Sequence, residues 1–378
     1  MAKPGRKRRT FLFVFELIIL LVLLGGLYVY GQISSSLDGM NSKKLDMNKV
    51  DMNNLVSPEN LTGFTNIALF GVDSRDNGEA AYEAANSDTI IIASINNDTK
   101  EVRLCSVYRD TLLVVNQSES GEDNYQKCNA AFAYGGVEGA ISMLNTNLDL
   151  NITDYVAVDF NALATVIDLL GGLDIELSGA EVEHMNNYCV ETSQVTGKSY
   201  TPIPRPDDDE YRDTYHLNGV QATSYARIRY TAGLDFERTE RQRLVIQKIV
   251  EKAKKASLAT LTDIMEEVFP MVSTSFSKEE IFTMGAGMLT YKFGETTGFP
   301  FKHYESNMAN KGSVVIPTTL VVNVKQLHFF LFNDSAYQPS ETVKQRSDVI
   351  VAITGYGYNE ETREVTVENS NSPEYGKY

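Results

Sequence analysis

From Asn66 onward the chain alternates short runs of β-branched residues with helix-length segments, and this alternation narrows the fold more than any other feature. NIALFG at 66–71, TIIIASI at 89–95 and EVRLCSV at 101–107 are apolar runs of buried-strand type. A glycine pair at 135–136 precedes a helix-like VEGAISMLNTNL. Strand-like YVAVDF at 155–160 leads into helix-like NALATVIDLL, a second glycine pair and strand-like LDIEL. Such a series predicts a layered α/β/α domain with a central mixed sheet and helices on both faces.

Ahead of that domain, Lys3, Arg6, Lys7, Arg8 and Arg9 precede an apolar run from Phe11 to Tyr30. About 20 residues at about 1.5 Å each match a ~30 Å hydrocarbon core. Residues 11–31 are therefore expected to be one N-terminal transmembrane helix, with 1–10 a basic cytoplasmic tail and the remainder outside the cell membrane. Glu16 interrupts the run near its cytoplasmic end, at a modest cost. A cleaved signal peptide is the competing reading, but Gly31-Gln32-Ile33-Ser34 is a poor small-x-small cleavage site. Residues 32–61, rich in Asn, Ser and Asp, read as an extracellular stalk. The domain proper is expected over 62–335, with a surface excursion at 186–215 that holds Pro202, Pro204 and Pro206. Residues 336–378 read as a polar C-terminal tail.

Net charge bears on partners. The chain carries a formal charge of -16, and setting aside the leading cations leaves the rest more acidic still. This argues against nucleic acid as a partner, and any anion site must be a local basic pocket. Three cysteines suit an outside location. Cys105, in an apolar run, reads as a buried thiol, which leaves Cys128 and Cys189 as the pair most open to a bridge.

Such a local pocket has a candidate. ARIRYTAGLDFERTERQR packs Arg227, Arg229, Arg238, Arg241 and Arg243 into one stretch. Guanidinium forks match phosphate oxygens. Arg227 and Arg229 sit two apart in an alternating segment, so on a strand they share a face. Arg238 and Arg241 are neighbours on a helix. The bland alternative is a solvated helix, in which Glu237 pairs with Arg241 and Glu240 with Arg243; it suits Arg243 best. Acids and bases also stand at the ends of the early strands. Asp73 and Arg75 follow the first, Asp88 opens the second, and Arg109 and Asp110 follow the third. Ligands bind at such strand ends in open α/β sheets. Two carboxylates there suit Mg²⁺, which takes its other oxygens from water and phosphate. Taken singly, Asp73 is as readily a turn residue and Asp88 a cap. The four histidines show no paired spacing, which excludes a His-rich zinc centre.

The ordered series GVDSR, SDT, YRDT, KCNAAFAYGG, VIDLLGGLDIEL, HLNGVQATSYARIR and DFERTERQR resembles the LytR–CpsA–Psr family, most closely over 62–255. The resemblance implies an extracytoplasmic phosphotransferase that moves a glycopolymer from an undecaprenyl diphosphate carrier onto peptidoglycan through a phosphodiester bond. By motif, Asp73 and Asp88 would be magnesium ligands. Arg109, Arg227, Arg229 and Arg238 would hold the reacting diphosphate, with Lys127, Arg241, Gln242 and Arg75 as further substrate contacts. The chain departs from the pattern at Asn86, where many members have arginine, and at Tyr108, where proline is usual. The isoprenoid tail calls for an apolar slot, expected from the helices near 161–170 and 243–250. No general base stands out; Asp235 is the nearest guess. A lipid diphosphate hydrolase and a non-catalytic polyprenyl-phosphate-binding regulator are the alternatives, although a cytoplasmic tail of about ten residues leaves little room for signalling.

Overall fold

The computed structural model describes residues 41–55, 58–72, 87–229, 234–359 and 364–367. In chain order, β1 (Asn41–Ser42) is followed by the three apolar runs as β2 (Phe64–Val72), β3 (Ser87–Asn96) and β4 (Glu101–Val107). A hairpin of β5 (Leu112–Gln117) and β6 (Asp123–Lys127) leads to α1 (Ala130–Leu148), β7 (Asp154–Val158) and α2 (Phe160–Leu169). Next come β8 (Leu173–Ser178), α3 (Gly179–Thr196), β9 (Arg212–Leu217) and α4 (Gly219–Tyr225). The long helix α5 (Leu234–Ala253) precedes α6 (Leu258–Glu267), β10 (Ser273–Thr274) and α7 (Lys278–Gly287). The chain continues through β11 (Lys292–Phe299), the hairpin β12 (His303–Met308) and β13 (Gly312–Pro317), and α8 (Leu320–Phe332). Helix α9 (Glu341–Thr354) and the hairpin β14 (Tyr356–Asn359) and β15 (Glu364–Val367) follow.

Seven strands form the central mixed sheet in the order β1-β10-β7-β2-β3-β4-β11. Its β2/β7, β4/β11 and β1/β10 pairs are parallel, and β2/β3, β3/β4 and β7/β10 antiparallel. Side chains alternate across it, as strand geometry requires. Ile67, Ile91, Ala93, Val102 and Leu104 meet Ile246 of α5 and Ile281 and Met284 of α7. Phe70, Ile90, Ile92, Cys105 and Val107 pack with α1, α8 and α9 through Phe132, Leu327 and Ile350. Burial on both faces explains why these strands read as continuous apolar runs and not as alternating ones.

Register decides where the chemistry sits. Val72 lies opposite Ser87, Gly71 opposite Val158, Ile91 opposite Ser106 and Val107 opposite Phe299. The ends of β2, β4, β7 and β11 and the start of β3 therefore share one end of the sheet. Gly71 lies at a register shift there, where a Cβ would come within 2.8 Å of the Thr89 Cβ.

Several expectations change. LDIEL is a strand, but β8 pairs with β9 in a separate ribbon that packs with α3, α4 and α5 in a second core. Residues 186–196, read as excursion, belong to α3. The first glycine pair is not a turn ahead of a helix but a kink within α1. Within the supposed stalk, Val50 and Leu61 are buried and Ser42 pairs with Thr274. Within the supposed tail, α9 docks Val343 and Ile350 into the main core. The polar composition of both stretches hid a thin apolar stripe. All three cysteines are free and buried. Cys128 belongs to the main core and Cys189 to the second, so the bridge expected between them does not form. Burial pushes the Cys105 thiol up to about 12. Among the described residues no helix is long and apolar enough to cross a membrane; the expected anchor at 11–31 lies outside them.

Candidate functional site

Asp88 is the hub of the strand-end cluster. It stands on the second residue of β3, where its carboxylate is less than one-third exposed. Arg109 Nη1 donates to its Oδ1 at 2.7 Å, and Arg229 Nη2 to its Oδ2 at 3.4 Å. Arg238 Nη2 reaches the backbone carbonyl of the same residue at 3.3 Å. The network continues through Asp110, 3.6 Å from Arg109 Nε and 3.0 Å from Lys127 Nζ. Arg109 and Asp110 lie in a turn just past β4. The buried Cys128 thiol donates toward the carbonyls of Tyr108 and Arg109 and so braces that turn. Five of the expected site residues (Asp88, Arg109, Lys127, Arg229 and Arg238) thus stand in one network.

The others are placed elsewhere. Arg227 and Arg229 do not lie on a strand but on the irregular exit from α4. Arg227 points to α3, pairing with Glu191 at 2.8 Å and donating to Thr192 Oγ1 at 2.9 Å. Its guanidinium lies 4.4 Å from the centre of the Phe160 ring and 5.5 Å from that of Tyr188. Phe160 opens α2 just past the end of β7, so Arg227 occupies the same end of the sheet. Arg241 is buried, with Nε 3.0 Å from Glu181, Nη2 2.8 Å from Glu237 and Nη1 donating to the Ile228 carbonyl at 3.3 Å. Gln242, one turn beyond Arg238, has a buried Oε1 with no hydrogen-bond partner. Asp73 and Arg75 lie outside the described residues, as does the side chain of Asp235.

Arg243 corrects the expectation of a solvated face. It is 4% exposed and donates to Ser106 Oγ at 2.7 Å and Thr239 Oγ1 at 3.2 Å. Burial lowers its pKa from the ordinary guanidinium value. The cause is that α5 is covered on two sides: Ile246 packs on the central sheet while Val245 enters the second core.

Behind the charged end lies an apolar cavity of about 410 Å³. It is bounded by Ile67 and Leu69 of β2, Val102 and Leu104 of β4, and Ile246 and Val250 of α5. The size falls in the usual small-ligand range of about 300–1,000 Å³. β4 lines the cavity with Val102 and Leu104 and ends two residues before Arg109, so the cavity and the charged end are joined along one strand. The expected lining from 243–250 is present. The 161–170 helix instead packs against α6 and the second core.

No group of three or more His, Cys, Asp or Glu among the described residues is arranged to hold a metal alone. Asp88 offers one partly exposed carboxylate beside cations that attract phosphate. That donor set fits Mg²⁺, which takes one or two protein carboxylates and fills its shell from ligand and water. Sequence reading missed the contacts of Arg227 with Phe160 and Tyr188 and of Arg241 with Glu181. Nothing local announces them, since the partners lie dozens of residues away.

The family model described as the LytR_cpsA_psr family matches residues 27–315. The polyisoprenyl-teichoic acid–peptidoglycan teichoic acid transferase TagU of Enterococcus faecalis is 28% identical over 280 residues, 73% of this chain and 82% of that protein. A protein of Streptococcus agalactiae superposes with a TM-score of 0.58 at 24% identity, covering 76% of this chain and 93% of that one. The LytR-CPS2A-psr family protein YwtF (TagT), solved with bound octaprenyl pyrophosphate lipid, gives a TM-score of 0.53 at 19% identity and covers 76% of this chain and 99% of that one. At these identities the two structures speak for the fold.

Proposed function

The chain belongs to the LytR–CpsA–Psr family, and from that premise we propose that it is an extracytoplasmic phosphotransferase. It would move a glycopolymer from an undecaprenyl diphosphate carrier onto peptidoglycan through a phosphodiester bond. One observation carries the reading: arginines converge on Asp88 at one end of a sheet whose face, further along the same strands, borders an apolar cavity. A charged head continuous with a long apolar tail is the ligand such an arrangement suits. The naming of TagU as a teichoic acid transferase points the same way.

Phosphoryl transfer asks for positioning and charge stabilisation more than covalent chemistry from the protein. Arg109, Arg229 and Arg238 would leave Asp88 in part to bind the diphosphate, and Lys127 would extend that binding from Asp110. Arg227, flattened on Phe160, would face the polymer-side phosphate, with Gln242 offering its unpartnered amide oxygen to a ligand hydroxyl. Arg241 would act by holding the Ile228 carbonyl, and so the approach of Arg229. Asp88, with Asp73 from the segment before it, would hold Mg²⁺, which supplies charge neutralisation at the diphosphate. The apolar run 11–31 would anchor the chain in the cell membrane with its N-terminus cytoplasmic, keeping the site where the lipid carrier resides.

The test is transfer by the full chain in liposomes, with a polyprenyl diphosphate-linked glycan donor, a peptidoglycan acceptor and Mg²⁺. The expected product is a sugar phosphodiester, lost in Asp88→Ala and Arg227→Ala while both variants remain folded. Unchanged turnover in both variants would sink the assignment. Release of a glycan phosphate without the acceptor would favour a hydrolase, and donor binding without turnover a regulator.

A further inference from the structure

We propose that His303 is the proton acceptor for the attacking hydroxyl, a role that rests on the phosphotransferase reading. His303 opens β12, just beyond the end of β11. Because Phe299 lies opposite Val107, that position is at the same end of the sheet as Asp88. The imidazole packs against two aromatic rings. Its centroid is 4.7 Å from that of Phe236 and 5.9 Å from that of Tyr108, and these two rings meet edge to face at 4.6 Å. Phe236 stands two residues before Arg238, and Tyr108 immediately before Arg109. In the chain, each neighbour of the imidazole stands one or two positions before an arginine bonded to Asp88.

The ring's orientation and tautomer are set. His303 Nδ1 lies 3.1 Å from the Pro300 carbonyl oxygen. A carbonyl oxygen only accepts, so Nδ1 carries the hydrogen and the neutral ring presents its lone pair at Nε2. The backbone just before it is pinned. Lys302 N donates to Asn323 Oδ1 at 2.8 Å, and the Lys302 carbonyl accepts from Asn323 Nδ2 at 2.8 Å and from Thr318 N at 3.0 Å. Gly298 makes room for the packing, since a Cβ there would fall 2.1 Å from the Tyr108 hydroxyl oxygen. His303 as a residue is half-buried. The other histidines are committed differently: His216 bonds Asp174, His328 is buried beneath Tyr337, and His184 borders a separate polar cavity beside α3.

In the step proposed, the acceptor sugar hydroxyl oxygen attacks the polymer-side phosphorus and gives its proton to His303 Nε2. The bond from that phosphorus to the bridging oxygen breaks, and polyprenyl monophosphate leaves with the electron pair. His303 then returns the proton to the departing phosphate or to water, so that nothing beyond donor and acceptor is consumed. The charged and polar groups borne by the elements around the ring are Tyr108, Arg109 and Asp110 on one side. On the others are Glu237 and Arg238 of α5, and Lys302 and Glu305 of its own hairpin.

Positioned general bases contribute roughly 10²- to 10⁴-fold. His303→Gln and His303→Ala are therefore expected to lower single-turnover transfer by about 100-fold or more. The probes are a geranylgeranyl diphosphate-linked N-acetylglucosamine donor and a soluble peptidoglycan strand, with the full chain in liposomes. Donor affinity should stay within about twofold of the parent, since the imidazole is placed on the acceptor and not on the phosphates. Added imidazole should restore transfer to His303→Ala, a recovery that a purely packing role would not give. Transfer within about threefold of the parent in both variants, or a folded and inactive His303→Ala that imidazole leaves unmoved, would overturn the role. Failure of the parent chain itself to transfer would instead overturn the phosphotransferase reading along with it.

Discussion

The two ends of the arginine cluster use the same side chain for opposite purposes. Arg229 and Arg238 meet at Asp88 on the rim of the sheet, where Arg229 remains partly open to solvent. Arg241 and Arg243, only a few residues on, are both buried and spend their donors on the protein's own groups. Arg229 can exchange the Asp88 carboxylate for a phosphate at little structural cost, whereas Arg238, only 2% exposed, reaches the Asp88 backbone carbonyl. The second pair ties α5 to its surroundings, Arg241 to α3 and the Arg229 loop, Arg243 to β4. What separates them is not charge or propensity but the partner each meets: Asp88 at the strand end for Arg229 and Arg238, groups of α3, β4 and α5 itself for Arg241 and Arg243.

That contrast can be broken in order of effect. The largest change is expected from Arg241→Ala, which leaves Glu181 buried with its own helix cap and a 3.6 Å contact to Arg212. Breaking a buried ion pair costs about 3–5 kcal/mol, so chemical denaturation should show a loss of that size. A midpoint unchanged from the parent would remove Arg241 from the structural group. Next comes Arg238→Ala, where about a 10²- to 10³-fold loss of transfer is expected, as for removal of one preorganised charge-stabilising donor. Its unfolding midpoint should move far less than that of Arg241→Ala; a reversed ranking would mean the division is misplaced.

Arg243→Met should be milder on both counts. An apolar replacement removes the cost of keeping the cation out of water, and the loss here is the hydrogen bonds to Ser106 and Thr239, each worth about 0.5–1.5 kcal/mol. Transfer within a few-fold of the parent is the expected outcome, and a loss matching Arg238→Ala would move Arg243 into the site. The smallest effect sets the conditions for these comparisons. His328 is 1% exposed, donates to the Leu148 carbonyl at 2.9 Å and stacks on Tyr337. Burial holds its pKa below the ordinary imidazole value. As pH falls below about 6.5 the unfolded chain takes up a proton before the folded one, so stability is lost on the acid side and kept above it. The slope from one such group is at most about 1.4 kcal/mol per pH unit. Melts of the parent and of His328→Gln between pH 5 and 8 should diverge only in the acid half.

Much of the site was legible because strand ends are local features. SDT and YRDT follow or precede apolar runs, so Asp88 and Arg109 had to stand at strand termini, and pairing of adjacent strands brought them together. The Glu237–Arg241 pair was legible too, since i,i+4 neighbours on a helix meet wherever the helix lies. Arg227 and Arg229 were misread as a strand because alternation with a buried Ile228 also describes an irregular segment pressed against a core. Arg243 was misread because a charged helix turn gives no sign that both its flanks will be covered.

The sequence by itself determined the layered architecture, the burial of its central strands and the end of the sheet at which charge collects. Those follow from periodicity and from pairing between near neighbours in the chain. Only the tertiary structure decided which arginines face a ligand, where an apolar cavity lies beside them, and that His303 comes to stand next to Tyr108 and Phe236. Such contacts join residues dozens to nearly two hundred positions apart. They are set by how α5 and the β12–β13 hairpin dock on the sheet, and no local pattern encodes a docking angle.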